Sequence, residues 1–201
     1  MSGIARIAAA SASGYLAGTL PSADIAARLA AGGEADLRQS GSGNPGAANA
    51  GAVLGARWGY AVMAADIAKA AGACRLGARI AGPPGAHLAG TAAVVGHCFP
   101  VWNGFRGGKG VAATVGQCLA TFPAYFPIDL AVAAVTAAGP RRHRAFTATA
   151  AASVTWVIAG LVWWRRRLPN AWGPEPGPLL PLAAAASSSI VLYRFAQGRR
   201  S

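Results

Sequence analysis

Charged side chains are scarce in this sequence: 12% of its 201 residues are Asp, Glu, Lys or Arg, against about 25% in an ordinary soluble domain, while 54% are hydrophobic. That balance excludes water as the main solvent. The apolar residues run through the whole chain rather than gathering at one end, so a cleaved signal peptide does not explain them, and one polytopic membrane domain over 1–201 is expected. Acidic residues are scarcest, six against eighteen Lys and Arg, which leaves a net charge of +12. The cations are grouped between apolar stretches, and no long basic helix or aromatic reading motif is present, so a nucleic-acid partner is not expected. Anionic lipid headgroups and phosphorylated substrates fit the charge better. Cysteine is also rare. Cys74, Cys98 and Cys118 are odd in number and lack paired metal-type spacing, so buried, inert thiols are expected and no metal centre is. The chain has no internal repeat.

What is present is a series of apolar runs at about 4–20, 51–70, 84–101, 110–122, 127–139, 146–164 and 178–194, broken by polar or proline-containing pieces. The expected fold class is an all-α integral membrane protein of about seven short helices, joined on one side by glycine-rich cytoplasmic loops. Ala and Gly supply much of the apolar character, which suits helices that pack closely through small residues. The runs on either side of Phe122 to Pro127 are shorter than the roughly 20 residues a crossing needs and read as half-helices or one kinked span. If 21–50 and 102–110 face the cytoplasm, then Arg141, Arg142 and Arg144 fall inside, as do Arg199 and Arg200. Arg165, Arg166 and Arg167 fall outside, against the positive-inside rule. Trp156, Trp163, Trp164 and Trp172 are expected to anchor the sixth span at the headgroups. Pro169 to Pro178, with four prolines, reads as an external loop.

Two segments could carry chemistry. The first, Arg38 to Asn49, is small and polar and lies directly before an apolar run, so its glycines can bring backbone N–H groups and a helix start to an anion. A flexible Gly/Ser linker is the plainer reading of that composition. The second, Gly96 to Thr114, places Arg106 and Lys109 around Gly107, Gly108 and Gly110 just before another apolar run, and two cations near one nest can hold a dianion. It is not a Walker A loop, because Asn103 and Gly110 stand where that motif needs Gly and Ser or Thr. Interfacial charge that merely fixes topology is the plain reading of the cations, and a hydrogen-bonded helix end that of His97. Asp66 and Lys69, three residues apart, share a helix face and read as an ion pair, with ordering of a site loop as a second role for Asp66.

These segments resemble signatures of the bacterial acyl-phosphate:glycerol-3-phosphate acyltransferase family (PlsY family). Asp36-Leu37-Arg38 and Gly41 to Asn49 follow the pattern Asp-Ile-Arg, Gly-Ser-Gly-Asn-x-Gly-Ala-Thr-Asn, with Ala48 for Thr. Gly96 to Ala112 follows Gly-His-x-Phe-Pro and Phe-Lys-Gly-Gly-Lys-Gly-Val-Ala, with Arg106 for Lys. Leu54-Gly55, Asp66-Ile67 and Lys69 keep the register between them, and Tyr15, Gly18 and Pro21 extend the likeness toward the start of the chain. The resemblance implies a seven-span enzyme that makes lysophosphatidic acid from acyl phosphate and glycerol 3-phosphate, without metal or cofactor. It implies Ser42, His97 and Lys109 as catalytic residues. For substrate and phosphate binding it implies Arg38, Gly43, Asn44, Gly46, Asn49, Arg106, Gly107, Gly108 and Gly110. None of His87, His97 or His143 has Asp five residues on, so the His-x-x-x-x-Asp acyltransferase class is not indicated. The chain departs from the family pattern at Ala52, where an Arg is usual, and at Phe195 and Gly198, where a third signature Tyr-x-His-Arg-x-Asn-Ile has His and Asn. Arg57 and Arg194 are candidate substitutes. The departures leave a second reading open, a paralogue that keeps the phosphate cradle without acyl transfer.

Overall fold

The structure, a computed structural model, describes residues 2–32, 35–138 and 144–198. Arg141, Arg142, His143, Arg199 and Arg200 lie outside the described residues. Eight α-helices follow one another among the described residues: α1 Gly3–Gly18, α2 Ser22–Ala31, α3 Ala47–Leu54, α4 Ala56–Cys98, α5 Val111–Thr121, α6 Phe126–Ala137, α7 Arg144–Arg166 and α8 Leu179–Gln197. The long α4 is a hairpin of two arms. The backbone leaves helical geometry at Ala81 and Gly82, where Gly82 takes φ 65°, and Pro83 and Pro84 open the second arm, a place where a missing N–H is harmless. Gly77 and Gly85 face each other across the turn so closely that a Cβ on either would strike the other's carbonyl.

The second span is expected to end at residue 70, but the first arm continues to the turn at Ala81. Arg75 and Arg79 lower the apolar character of that stretch, and both are exposed on the helix surface, where their long stems can carry the charge to an interface. The polar segment 21–50 likewise contains a short helix, α2.

Small residues set the rest of the packing. Gly14 and Gly18 of α1 lie on Ala89 and Ala93 of the second arm, so two small-x-x-x-small stripes run parallel in contact. Gly116 of α5 sits on the backbone of Ile67, and Gln117 reaches Thr91 and Ser187 in a buried polar triad linking α4, α5 and α8. A second core joins α5, α7 and α8 through Phe122, Tyr125, Trp156 and Leu180. A third joins α2, α3 and the start of α4 through Ala23, Leu37, Ala50 and Val62. Trp156 is 6% exposed, so it is a core residue rather than a headgroup anchor. Trp163 and Trp172 instead tie down the irregular 168–178 stretch and the end of α5 by donating to the carbonyls of Pro169 and Leu119.

Among the described residues two helices are long and apolar enough to cross a membrane, Arg144–Arg166 and Leu179–Gln197, and Val111–Thr121 with Pro123–Ala137 forms a third, broken candidate bent by 114°. The break falls on buried Phe122 and the Pro123–Tyr125 turn, which resolves the two short runs into half-helices. With this topology α1 ends, the α4 hairpin opens and closes, α5 starts and α8 ends all at one end of the bundle. Arg165 to Arg167 lie at the other.

The α1 contact gives a direct check. Gly18→Ala puts a Cβ into the Ala93 backbone and should lower the melting temperature in detergent, with a loss of about 1–3 kcal/mol from overpacking. Gly72→Ala, on the same α4 hairpin but with nothing within 4 Å, should leave it unchanged or raise it slightly.

Candidate active site

The α4 hairpin brings Asp66 on the first arm against His97 at the end of the second. Asp66 is 2% exposed, and a carboxylate so buried needs partners. One is Lys69, one turn on, with Nζ 2.8 Å from Oδ1; the other is His97, with Nδ1 3.4 Å from the same oxygen. Lys69 Nζ also donates to the carbonyl of Leu20 at 2.9 Å, which fixes the end of α1 to the pair. The imidazole is thereby oriented with Nε2 toward Gly108, so close that a Cβ there would collide with it.

The first glycine-rich loop is organised around Asn49. Its buried carboxamide accepts from the Ser42 N–H at 2.8 Å and donates to the carbonyls of Leu37 and Ser40, each at 2.9 Å. Gly41 and Gly43 take φ 61° and 67°, which curls the loop around that side chain and leaves Ser42 exposed at its tip. Asn49, expected to touch substrate, is thus the internal tie of the loop. The N–H groups of Ser42, Gly43 and Gly46 are all used inside it, the latter two on the carbonyls of Ser40 and Asn44. The anion cradle expected from backbone amides is therefore not formed by those three. The amides of Ala47 and Ala48 open α3 with no side-chain cap.

Arg38 is also engaged. Its guanidinium grips Asp24 by two bonds, at 2.6 and 3.2 Å, and its Nε donates to the carbonyl of Arg106 at 3.2 Å. Asn103 completes the clamp by donating to Asp24 at 2.9 Å. One carboxylate on α2 so joins the two signature loops, and neither Asp24 nor Asn103 stood out as a site residue in the sequence.

In the second loop, Gly107 N–H donates to the carbonyl of Cys98 at 3.1 Å and Gly108 N–H to that of His97 at 3.2 Å. These two glycines serve close approach, since a Cβ on Gly107 would strike the His97 carbonyl; their amides are not free donors for phosphate as expected. Gly110, at φ 92°, is pressed against Cys98 and Val191 and starts α5, whose first turn has no side-chain cap. Lys109 lies with its ammonium 4.7 Å from the centroid of the Phe195 ring. Arg106 is exposed. Of the candidate substitutes, Arg57 lies over Trp58 and Arg194 contacts this loop, whereas Ala52 is exposed on α3.

A cleft at this end is lined by Thr19, Asp24, Arg38, Pro45, Asp66, Lys69, His97, Asn103, Gly107 and Gly108. His97 and Arg38 meet there. Ser42, Arg106, Lys109 and Gly110 belong to the loops around the cleft rather than to its lining. The three cysteines are free and buried.

Residues 8–200 match the family profile described as glycerol-3-phosphate acyltransferase. Among curated relatives, a glycerol-3-phosphate acyltransferase of Bacillus velezensis (strain DSM 23117 / BGSC 10A6 / LMG 26770 / FZB42) is 45% identical over 118 residues, or 59% of this chain and 60% of that protein. One of Maricaulis maris (strain MCS10) is 40% identical over 163 residues, or 78% of this chain and 71% of that protein. Against the first the chain spans less than two thirds of the relative's length. Among solved structures, PlsY (YgiH), an integral membrane glycerol 3-phosphate acyltransferase in its glycerol 3-phosphate form, superposes with a TM-score of 0.75 at 25% identity, covering 100% of this chain and 91% of that one. Its lysophosphatidic acid form gives 0.74 at 24% identity, covering 96% and 90%. The all-helical fold is that of an integral membrane protein.

The Asn49 tie predicts a specific cost. Asn49→Ala deletes three hydrogen bonds worth about 0.5–1.5 kcal/mol each, and the protein should lose about 2–4 kcal/mol of stability in a thermal melt followed by circular dichroism.

Proposed function

Because the chain belongs to the glycerol-3-phosphate acyltransferase family, we propose that it transfers a fatty acyl group from acyl phosphate to the 1-hydroxyl of glycerol 3-phosphate, giving lysophosphatidic acid for phospholipid biosynthesis. The observation that carries this reading is the convergence of the Asp66–Lys69–His97 cluster and two glycine-rich loops bearing Ser42, Arg106 and Lys109 at one end of the bundle. In the reaction the glycerol oxygen bonds to the acyl carbon, the bond from that carbon to the phosphate oxygen breaks, and inorganic phosphate departs with the hydroxyl proton. An acyl phosphate is already activated, so the protein's work is positioning and charge stabilisation, with no acyl-enzyme.

The roles follow from residue chemistry. Lys109 and Arg106 neutralise the leaving phosphate, His97 held by Asp66 orients the hydroxyl, and Ser42 contacts substrate from its loop tip. Arg38, whose guanidinium closes the clamp on Asp24, shapes the cleft and adds positive potential there. The site belongs on the cytoplasmic face of a bacterial inner membrane. Arg38, Arg106, Lys109 and Arg194 at the site end fit that orientation, while Arg6, Arg75, Arg79 and Arg165 to Arg167 lie toward the opposite end, against the positive-inside rule.

The test is phosphate release from a long-chain acyl phosphate by the protein in detergent or lipid, with and without glycerol 3-phosphate. Release should depend on glycerol 3-phosphate. Lys109→Ala, losing a charged contact worth about 1.5–3 kcal/mol, should lower kcat/KM about 10- to 150-fold. Folded wild-type protein that binds glycerol 3-phosphate but shows no turnover would overturn the assignment.

A further inference from the structure

At the positions of the family's third signature, α8 carries Arg194 and Phe195 in place of a His-centred pattern, and both face the second glycine loop. Arg194 spreads its guanidinium over two successive carbonyls: Nε donates to Gly108 at 3.2 Å and Nη2 to Gly107 at 2.7 Å. Its remaining Nη1 donates to Gln197 at 2.7 Å, and Gln197 in turn donates to the Tyr193 hydroxyl at 2.8 Å. Its Cζ lies 5.3 Å from the centroid of the Phe99 ring, just before the loop, and the Phe99 and Tyr193 ring centroids are 6.4 Å apart. One residue later on α8, the Phe195 ring carries the Lys109 ammonium at 4.7 Å, a distance that suits a cation–π contact.

The Gly107–Gly108 dipeptide is therefore held from both sides. Its amides bond back to Cys98 and His97, and its carbonyls bond forward to Arg194. A planar fork with fixed donor spacing suits two neighbouring carbonyls, and a lysine could engage only one of them well. Each of the three nitrogens of Arg194 donates to a protein acceptor, and two of the three bonds go to the loop, so this cation serves the loop first.

We propose that Arg194 is a positioning residue: it braces the Gly107–Gly108 dipeptide against α8, and with Phe195 it sets where Lys109 and the His97 Nε2 edge stand relative to each other. In this chain the last helix so contributes rigidity to the phosphate loop where the family signature contributes polar side chains. The proposal deepens the acyltransferase reading and rests on it for its kinetic consequences, but the brace itself can be read without turnover.

Two measurements separate the cases. The native thiols are buried, so Phe105→Cys, at an exposed site in the loop, offers a single accessible thiol for a nitroxide spin label. In that background Arg194→Ala should sharpen the electron paramagnetic resonance lines as the loop loosens, and Arg194→Lys should do so by less. In the unlabelled protein, Arg194→Ala should reduce kcat/KM about tenfold or more, and guanidinium ion added to the assay should restore part of it, which a general packing defect would not allow. Unchanged spectra and unchanged kinetics in folded Arg194→Ala protein would overturn the brace. Wild-type protein without turnover but with a loop that loosens in Arg194→Ala would sink the proposed function and leave the brace standing.

Discussion

The site depends on one buried carboxylate. Asp66 sits inside a helical hairpin with 2% of its surface exposed, and leaving it charged there requires polar partners within reach. Lys69 comes from the same helix face, one turn on; His97 comes from the other arm. Lys69 then holds the end of α1, and His97 begins the turn that carries Gly107 and Gly108. Four stretches far apart in sequence are thereby located by a single charge. Deleting Lys69 would leave the carboxylate without its charged partner, which is why such pairs tolerate change poorly even where they add little net stability.

The helices can meet at that charge only because their contact faces are nearly bare. Gly14 and Gly18 on Ala89 and Ala93, Gly77 on Gly85, and Gly116 on Ile67 let backbones approach to distances at which no Cβ fits. In a lipid-like solvent, apolar burial gives little drive to helix association, so close packing and buried hydrogen bonds such as Ser187 to Gln117 must supply it. The abundance of Gly and Ala is thus the physical means of assembly, and it is also what weakens the hydropathy of individual spans.

Much of the architecture could be read from the sequence, because the apolar runs and proline breaks mark where helices start and stop. Both glycine-rich segments do lie at one end, with His97 and Asp66 between them. What escaped reading are interactions that pair residues across helices. Nothing local marks Asp24 as the partner of Arg38, or Arg194 as a support for residues nearly ninety positions away. The apolar pattern of the first arm fades before its end because Arg75 and Arg79 carry charge on stems long enough to leave the apolar zone. Glycine-rich segments suggest anion-binding amides, but a pattern of glycines alone does not tell whether the N–H groups point outward or, as with Gly43, Gly46, Gly107 and Gly108, back into the loop.

The turn at Ala81 and Gly82 has a bearing on how this protein can change over evolutionary time. Both arms of α4 are continuous helices that carry site residues, Asp66 within the first and His97 near the end of the second, and the turn fixes their register against each other. A single-residue insertion anywhere between Ile67 and Ile80, or between Pro83 and Gly96, would rotate the residues beyond it by about 100° and move them about 1.5 Å along the axis, swinging Asp66 or His97 out of line. Drift along this stretch is thus confined to substitution, while length variation is channelled into the stretches outside the hairpin, such as the irregular 168–178 segment at the opposite end.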